Sequence, residues 1–196
     1  MMKKEWVYRE ILHQVLERRE HLFRQKNLAE LCGVSIGNVN KSLAPLEKMN
    51  CVEKKPRGFH VIDPKKMLLY WASIRDPSKD IIYQTMVDKP VDEIEKELPP
   101  VIFTAYSGFK FRFQAIPADY SEVWVYGEMG EIKERFKPST AKPNLIVLKT
   151  DEHFMKFREI PLAQLFVDLW NMNTWYARDF LKKVEAEIDR IIGEGG

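Results

Sequence analysis

The sequence predicts an α+β fold in two parts, and three observations carry that expectation. Apolar residues recur three and four apart over 4–20, 39–46 and 162–192, the spacing that gathers them on one face of a helix. The runs EVWVY (122–126) and LIVL (145–148) have the β-branched and aromatic content of strands. Between residues 27 and 62, two short helical patterns meet at a glycine and lead into a basic hairpin pattern. The organisation expected is a helix-turn-helix unit with its hairpin over 1–63, a linker helix over 64–77, and a mixed α/β domain over 78–196 that ends in two helices.

A chain of 196 residues, 45% hydrophobic and 12% aromatic, can bury a sizeable core. No apolar run approaches the length needed to cross a bilayer. The opening MMKKEWVYRE passes from two lysines into a helical pattern, with no apolar leader. Together these predict a soluble cytoplasmic protein with no membrane partner. Cys32 and Cys51 form no CxxC and have no histidine pair nearby, so reduced, partly buried thiols are expected rather than a disulfide or a zinc site. No metal and no cofactor is expected. The net charge of +2 hides an asymmetry: residues 1–63 hold 12 Lys+Arg against 8 Asp+Glu, giving +4, and the remainder holds 19 against 21, giving −2. The cationic excess sits with the helix-turn-helix pattern, which is an argument about partners rather than about fold.

The first helix places Val7, Ile11 and Val15 on one stripe with Leu12 and Leu16 beside it. Residues 23–25 can form a short strand. Asn27 has the character of an N-cap, with Glu30 three residues on as in a capping box. Leu28, Ala29 and Leu31 are its buried side, and Gly33 is placed to stop it in the left-handed conformation. Ser35 is the next N-cap. Val39, Leu43 and Leu46 form the buried stripe of a second helix, which turns Gly37, Asn38, Asn40 and Lys41 outward, with Ser42 to one side. Pro45 does not suit a straight helix, because it removes a hydrogen bond and tends to kink. Residues 51–54 and 59–62 then read as strands around Lys55-Pro56-Arg57-Gly58.

Helix, glycine turn, Val-Ser, helix and basic hairpin in this order resemble the winged helix-turn-helix domains of prokaryotic transcription regulators, over about the first third of the chain. The resemblance implies that the second helix enters the major groove of double-stranded DNA. Ser35, Asn38, Asn40 and Lys41 are then the candidate DNA-binding residues of the helix, since asparagine suits adenine and lysine suits guanine or phosphate. Lys54, Lys55 and Arg57 of the hairpin reach the backbone or the minor groove. The competing reading is a winged helix used only for protein contacts.

Asp63-Pro64 opens a further helix, with aspartate as N-cap and proline at its first position. Met67, Leu68, Trp71 and Ile74 line one face, and the helix ends near Asp76-Pro77. Beyond it, 81–87 reads as a strand and 90–98 as a short acidic helix. Residues 101–113 are either a helix interrupted at Gly108 or a strand pair. A strand over 122–126 and a short helix over 131–136 follow. The run 145–148 lacks polar alternation, the mark of a central strand buried on both faces. Helices over 161–170 and 174–192 close the chain, the second with Trp175, Phe180, Leu181, Val184 and Ile188 as its apolar positions. The tail 193–196 is expected to fray.

This order, together with TAYSGFKF, EVWVYGE, LIVL and PLAQLFVDLWNMNTWYARDFL, resembles the AbiEi family of transcriptional regulators, the antitoxins of type IV toxin–antitoxin systems. The closing segment carries most of the likeness, through Asp168, Leu169, Trp170 and Asn171, then Trp175, Ala177 and Phe180. The resemblance implies a repressor of its own operon, paired functionally with a toxin that it need not touch. A homodimer is expected separately, because one winged helix reads few base pairs and a two-fold operator multiplies the contacts. A ligand-sensing regulator, in which the α/β domain binds a small molecule, is the leading alternative. Trp71, Tyr106 and Trp124 are the aromatic residues such a pocket would use.

Two enzyme readings test poorly. A nucleotidyltransferase needs a Gly-Ser turn, two carboxylates one residue apart on a strand and a third nearby to hold divalent ions. Ser107-Gly108, Glu122 and Asp151 supply parts, but Trp124 stands where the second carboxylate belongs. A nuclease pattern of Asp119 with Glu131-Ile132-Lys133 fits equally well the opening of an exposed helix. His13, His21, His60 and His153 form no metal-binding spacing. No catalytic residue is assigned, and the chain is expected not to be an enzyme.

Overall fold

Helix α1 (Lys3–Arg18) is the element that both parts of the chain share. The structure is a computed structural model that describes residues 2–194. The last two glycines of the expected frayed tail lie outside the described residues, and Gly193 is the final residue of the closing helix. After α1 come β1 (Leu22–Phe23), α2 (Gln25–Cys32), α3 (Ile36–Lys48), β2 (Val52–Lys55) and β3 (Gly58–Val61). The three strands form an antiparallel sheet in the order β1-β3-β2.

Local chemistry accounts for most of these boundaries. Gly33 takes φ +63° and ends α2, and the Ser35 hydroxyl caps α3 by accepting from the Asn38 N–H at 3.2 Å. The start of α2 differs from expectation. It begins at Gln25 with Arg24 at the cap, and no side chain caps it. Phe23 is held opposite Phe59 in the sheet, so the chain must turn into helix at once. That pairing outweighs the capping preference of Asn27, which is worth about 1 kcal/mol. Helix α3 runs unbroken through Pro45. The carbonyl that proline leaves without a donor is that of Lys41, an exposed residue where solvent can substitute.

Helix α4 (Pro64–Ile74) starts at Asp63, whose carboxylate accepts from the Lys66 N–H at 2.8 Å. It packs against α1 and against the penultimate helix, α8 (Leu162–Trp170). A 3₁₀ turn (Pro77–Asp80) leads into β4 (Ile81–Thr85), α5 (Val91–Glu97), β5 (Ile102–Thr104), α6 (Ala105–Phe113), β6 (Val123–Gly127), α7 (Met129–Arg135) and β7 (Leu145–Lys149). A second 3₁₀ turn (Phe154–Lys156), α8 and α9 (Ala177–Gly193) complete the chain. The second sheet has the order β4-β7-β6-β5, with β6 and β7 parallel and the outer pairs antiparallel.

Strand β7 is central and covered on both sides, as its unbroken apolar run predicts. Ile146 and Leu148 face the main core, and Leu145 and Val147 face a smaller one with Ile94, Val125 and Ile132. The ambiguous stretch 101–113 is a strand followed by a helix, with Ala105 at φ 49° at the junction. Gly108 does not interrupt α6. A Cβ there would stand 2.8 Å from the Phe103 carbonyl oxygen, so the glycine lets the helix lie close against β5.

One hydrophobic core joins the two parts. Val7, Ile11 and Leu12 of α1 belong to the same cluster as Leu43 and Phe59 on one side and Leu165, Phe166 and Phe180 on the other. Trp71 and Tyr106 are fully buried within it and do not line an aromatic pocket with Trp124. Trp175 differs from its expected place. Helix α9 starts only at Ala177, and Trp175 stands in the preceding loop, 81% exposed.

Polar contacts reinforce this joint. Arg9, fully buried, donates to both carboxylate oxygens of Asp151 at 2.9 and 2.8 Å and to the Gln164 Oε1 at 2.9 Å. His153 lies between Arg9 (3.1 Å to Nδ1) and Glu10 (2.8 Å to Nε2). Gln164 continues to Asp168 at 2.9 Å, and Asp168 accepts from Thr104 and Tyr126. Among the described residues no helix is long and apolar enough to cross a membrane.

Candidate nucleic-acid interface

Burial of Val39, Leu43 and Leu46 against α1 leaves one polar face of α3 in solvent. Gly37, Asn40, Lys41, Ala44 and Lys48 are exposed, and their three- and four-residue spacing makes them one continuous stripe. Two of the five are small, which lets a partner approach the backbone closely. Ser35 is exposed at the cap, and Asn38 is half-buried beside it.

Ser42 departs from the outward set. It is 2% exposed, and its hydroxyl donates to the Asn38 carbonyl at 2.8 Å. Its own carbonyl accepts from the Tyr8 hydroxyl at 2.9 Å. This residue therefore ties α3 to α1.

The hairpin turns through Pro56 and Arg57, with Lys55 opposite Gly58. Gly58 is required by contact. A Cβ there would fall 1.9 Å from the Phe23 carbonyl oxygen, so only glycine allows β1 and β3 to meet at this point. Lys54 pairs with Glu47 at 2.9 Å and Lys55 with Glu53 at 2.7 Å, both on the surface. Such exposed pairs exchange readily for a stronger anion. Arg57 is exposed and has no side-chain partner among the described residues.

A cleft of about 450 Å³ lies between the hairpin and the starts of α2 and α3. Arg24, Lys26, Lys54, Lys55 and Arg57 line it together with Ile36, and no carboxylate does. Sequence reasoning found the last three cations and missed Arg24 and Lys26. The signal is the tripeptide Arg24-Gln25-Lys26, hidden because an N-cap at Asn27 starts α2 three residues later than the observed cap at Arg24.

The sets tested for enzyme chemistry do not assemble. Glu122 precedes β6, where it accepts from the Trp124 Nε1 at 3.0 Å, whereas Asp151 follows β7 and pairs with Arg9. Because β6 and β7 are parallel, the two carboxylates stand at opposite ends of strands about 16 Å long. Ser107-Gly108 lies inside α6 and forms no turn. Asp119 and Glu131 are likewise separated by the length of β6, and Glu131 pairs with Arg135 at 2.5 Å along α7.

Each histidine has a local partner. His13 meets Glu17 at 3.1 Å, and His21 meets the Val61 carbonyl at 3.3 Å and the His60 ring at 5.9 Å. His153 is buried, which its loop position concealed. Burial and the neighbouring Arg9 outweigh the Glu10 carboxylate and hold its pKa below the ordinary value. Arg9 can only donate and an ionised Glu10 can only accept, so the imidazole is neutral with its proton on Nε2. Among the described residues no cluster of histidine, cysteine and carboxylates could hold a metal ion. Cys32 and Cys51 are free and buried, and burial pushes the Cys32 thiol up to about 12. Comparison with known proteins finds no matching family model, no matching curated protein and no matching solved structure.

Proposed function

We propose that this chain is a sequence-specific regulator of transcription that binds double-stranded DNA, a repressor of the kind its resemblance to type IV antitoxins implies. Helix α3 enters the major groove with Asn40 and Lys41 toward the base edges, and Asn38 stands at its margin. The hairpin cations Lys54, Lys55 and Arg57 grip the backbone beside it. Arg24 and Lys26 extend that grip from the start of α2.

One observation carries the reading. The polar stripe of α3 adjoins a cleft lined by five cations and no carboxylate, on a chain whose whole net charge is only +2. Concentration of positive charge beside an exposed, small-residue helix face is what phosphate contact and groove entry require. A single helix of this size reads few base pairs, so a homodimer on a two-fold operator completes the reading.

Selection of bound duplexes from a random library tests it. The expected result is an enriched motif with two half-sites about one helical turn, roughly 10 base pairs, apart. Binding should weaken steeply with salt, at a slope near −0.9 per phosphate contacted. A library that yields no motif, with binding insensitive to salt, would reject the proposal and favour a protein-contact role for the same surface.

A further inference from the structure

The end of α1, β1, α2 and the hairpin turn enclose a second cavity, of about 780 Å³. Its size falls in the range of small-molecule sites. Leu22, Leu28 and Leu31 give it an apolar wall, and Arg24, Lys55 and Arg57 give it positive charge against a single carboxylate, Glu20. Leu22 and Leu31 are 68% and 44% exposed, although each belongs to a strand or helix. They form apolar surface with no cover in the fold.

Gln14 lines the same cavity and is 6% exposed. Its amide nitrogen donates to Glu10 at 2.6 Å, and its oxygen takes no hydrogen bond among the described residues. Lys55 is already paired with Glu53, whereas Arg24 and Arg57 have no side-chain partner among the described residues. The cavity thus combines an apolar wall with two free guanidiniums, groups whose forked geometry matches a carboxylate.

We infer that this cavity binds an amphipathic carboxylic acid, with its hydrocarbon against Leu22, Leu28 and Leu31 and its carboxylate at Arg24 and Arg57. Arg24, Lys55 and Arg57 also line the cationic cleft. A carboxylate seated on them therefore competes with DNA phosphate, a consequence that rests on the DNA-binding reading. The effector site is then built into the helix-turn-helix unit itself rather than into the α/β part.

Calorimetric titration of the full chain with octanoate, 1-octanol and octyltrimethylammonium tests the cavity. Octanoate should bind saturably, one per chain, and at least about 10-fold more tightly than the neutral and cationic probes, because only it pairs the guanidiniums. Arg24→Ala and Arg57→Ala should each weaken octanoate about 5-fold, the upper range for an exposed ion pair. Leu31→Glu and Leu22→Glu, on different elements, should abolish octanoate binding while the thermal midpoint holds. Equal binding of the three probes, no saturable octanoate binding, or unchanged octanoate affinity in both leucine variants would overturn the site.

Competition against a selected duplex is a separate arm. Octanoate should weaken DNA binding by the wild type and not by Leu31→Glu. Octanoate that binds but leaves DNA affinity unchanged overturns the competition and leaves the DNA reading intact. A chain that selects no DNA rejects the DNA reading, while the titration still decides the cavity.

Discussion

Arg9 and Asp151, 142 residues apart, meet through two parallel hydrogen bonds of 2.9 and 2.8 Å. The arginine side chain is fully buried and the aspartate 9% exposed. Asp151 also accepts the Phe154 N–H at 2.7 Å, and the Arg9 guanidinium lies 4.4 Å from the Phe154 ring centre. The pair pins α1 to the segment after β7. Removing one member strands a buried charge, which costs roughly 3–5 kcal/mol. Arg9→Ala should therefore lose about that much in a denaturant titration. Because α1 lies in a core shared by both parts, the loss should appear in one cooperative transition. Two separated transitions would show that the parts fold independently and that α1 does not couple them.

The same joint predicts acid sensitivity. His153 has its pKa lowered in the folded chain, chiefly by burial. The unfolded chain therefore takes up this proton first. Its contribution is complete above the ordinary histidine value near 6.5 and is lost as pH falls below it. Glu10 and Asp151 are also lowered, since hydrogen bonds from His153 and Arg9 outweigh burial. For Glu17, burial is outweighed by His13, Arg112 and the Leu162 N–H, which hold it at about 2. These three lose their contributions in the carboxylate range, as pH falls toward that value. Asp168 runs the other way, because burial raises its pKa despite Arg75 and its hydrogen-bond donors. Unfolding midpoints between pH 7 and 5 should fall for the wild type. His153→Gln can accept from Arg9 and donate to Glu10 without titrating, so the difference between the two proteins isolates the imidazole. Equal pH dependence in both would mean that His153 is not held neutral.

Sequence periodicity foretold what local forces decide. The glycine stop at Gly33, the caps at Ser35 and Asp63 and the doubly buried β7 all follow from single residues or short runs. Misplaced features depend on distant partners. The early start of α2 is set by Phe23 pairing with Phe59. Trp175 left its expected helix because the chain turns before Ala177. The joint of Arg9, Glu10, Asp151 and His153 spans more than a hundred residues, and no periodicity in either segment points to the other. Within the candidate interface, the cations of the hairpin were visible as a basic turn. Arg24 joins them only because β1 brings the start of α2 beside that turn.

Two glycines near the interface should respond oppositely to alanine. At Gly58 the added Cβ meets the Phe23 carbonyl at 1.9 Å. Backbone cannot yield as a flexible side chain can, so β1 must separate from β3, at a cost above about 2 kcal/mol. At Gly37, inside α3, the nearest atom is the Ser35 Oγ at 3.7 Å. Gly37→Ala should stabilise the fold by about 0.5–1 kcal/mol through the lost backbone freedom of the unfolded chain. If α3 enters a groove at Gly37, the same variant binds DNA more weakly despite its greater stability. A stabilised variant with undiminished affinity would place the contact farther along the helix.

Arg57 and Asn40 should separate affinity from choice. Arg57 stands exposed at the hairpin tip without a side-chain partner among the described residues, so if the hairpin grips DNA as proposed, removing it takes away one phosphate contact and breaks no contact within the fold. Arg57→Ala should weaken binding to every duplex alike, and the salt slope should fall by about 1. Asn40 stands on the polar stripe of α3, where its amide can pair with adenine in the major groove. Asn40→Ala should leave the salt slope unchanged and cost about 1–3 kcal/mol only on duplexes carrying the preferred base. Parallel gel-shift series over salt and over single-base variants of the selected site read both quantities. An Arg57→Ala effect confined to particular base pairs would exchange the two roles and put the hairpin, rather than the helix, in charge of reading.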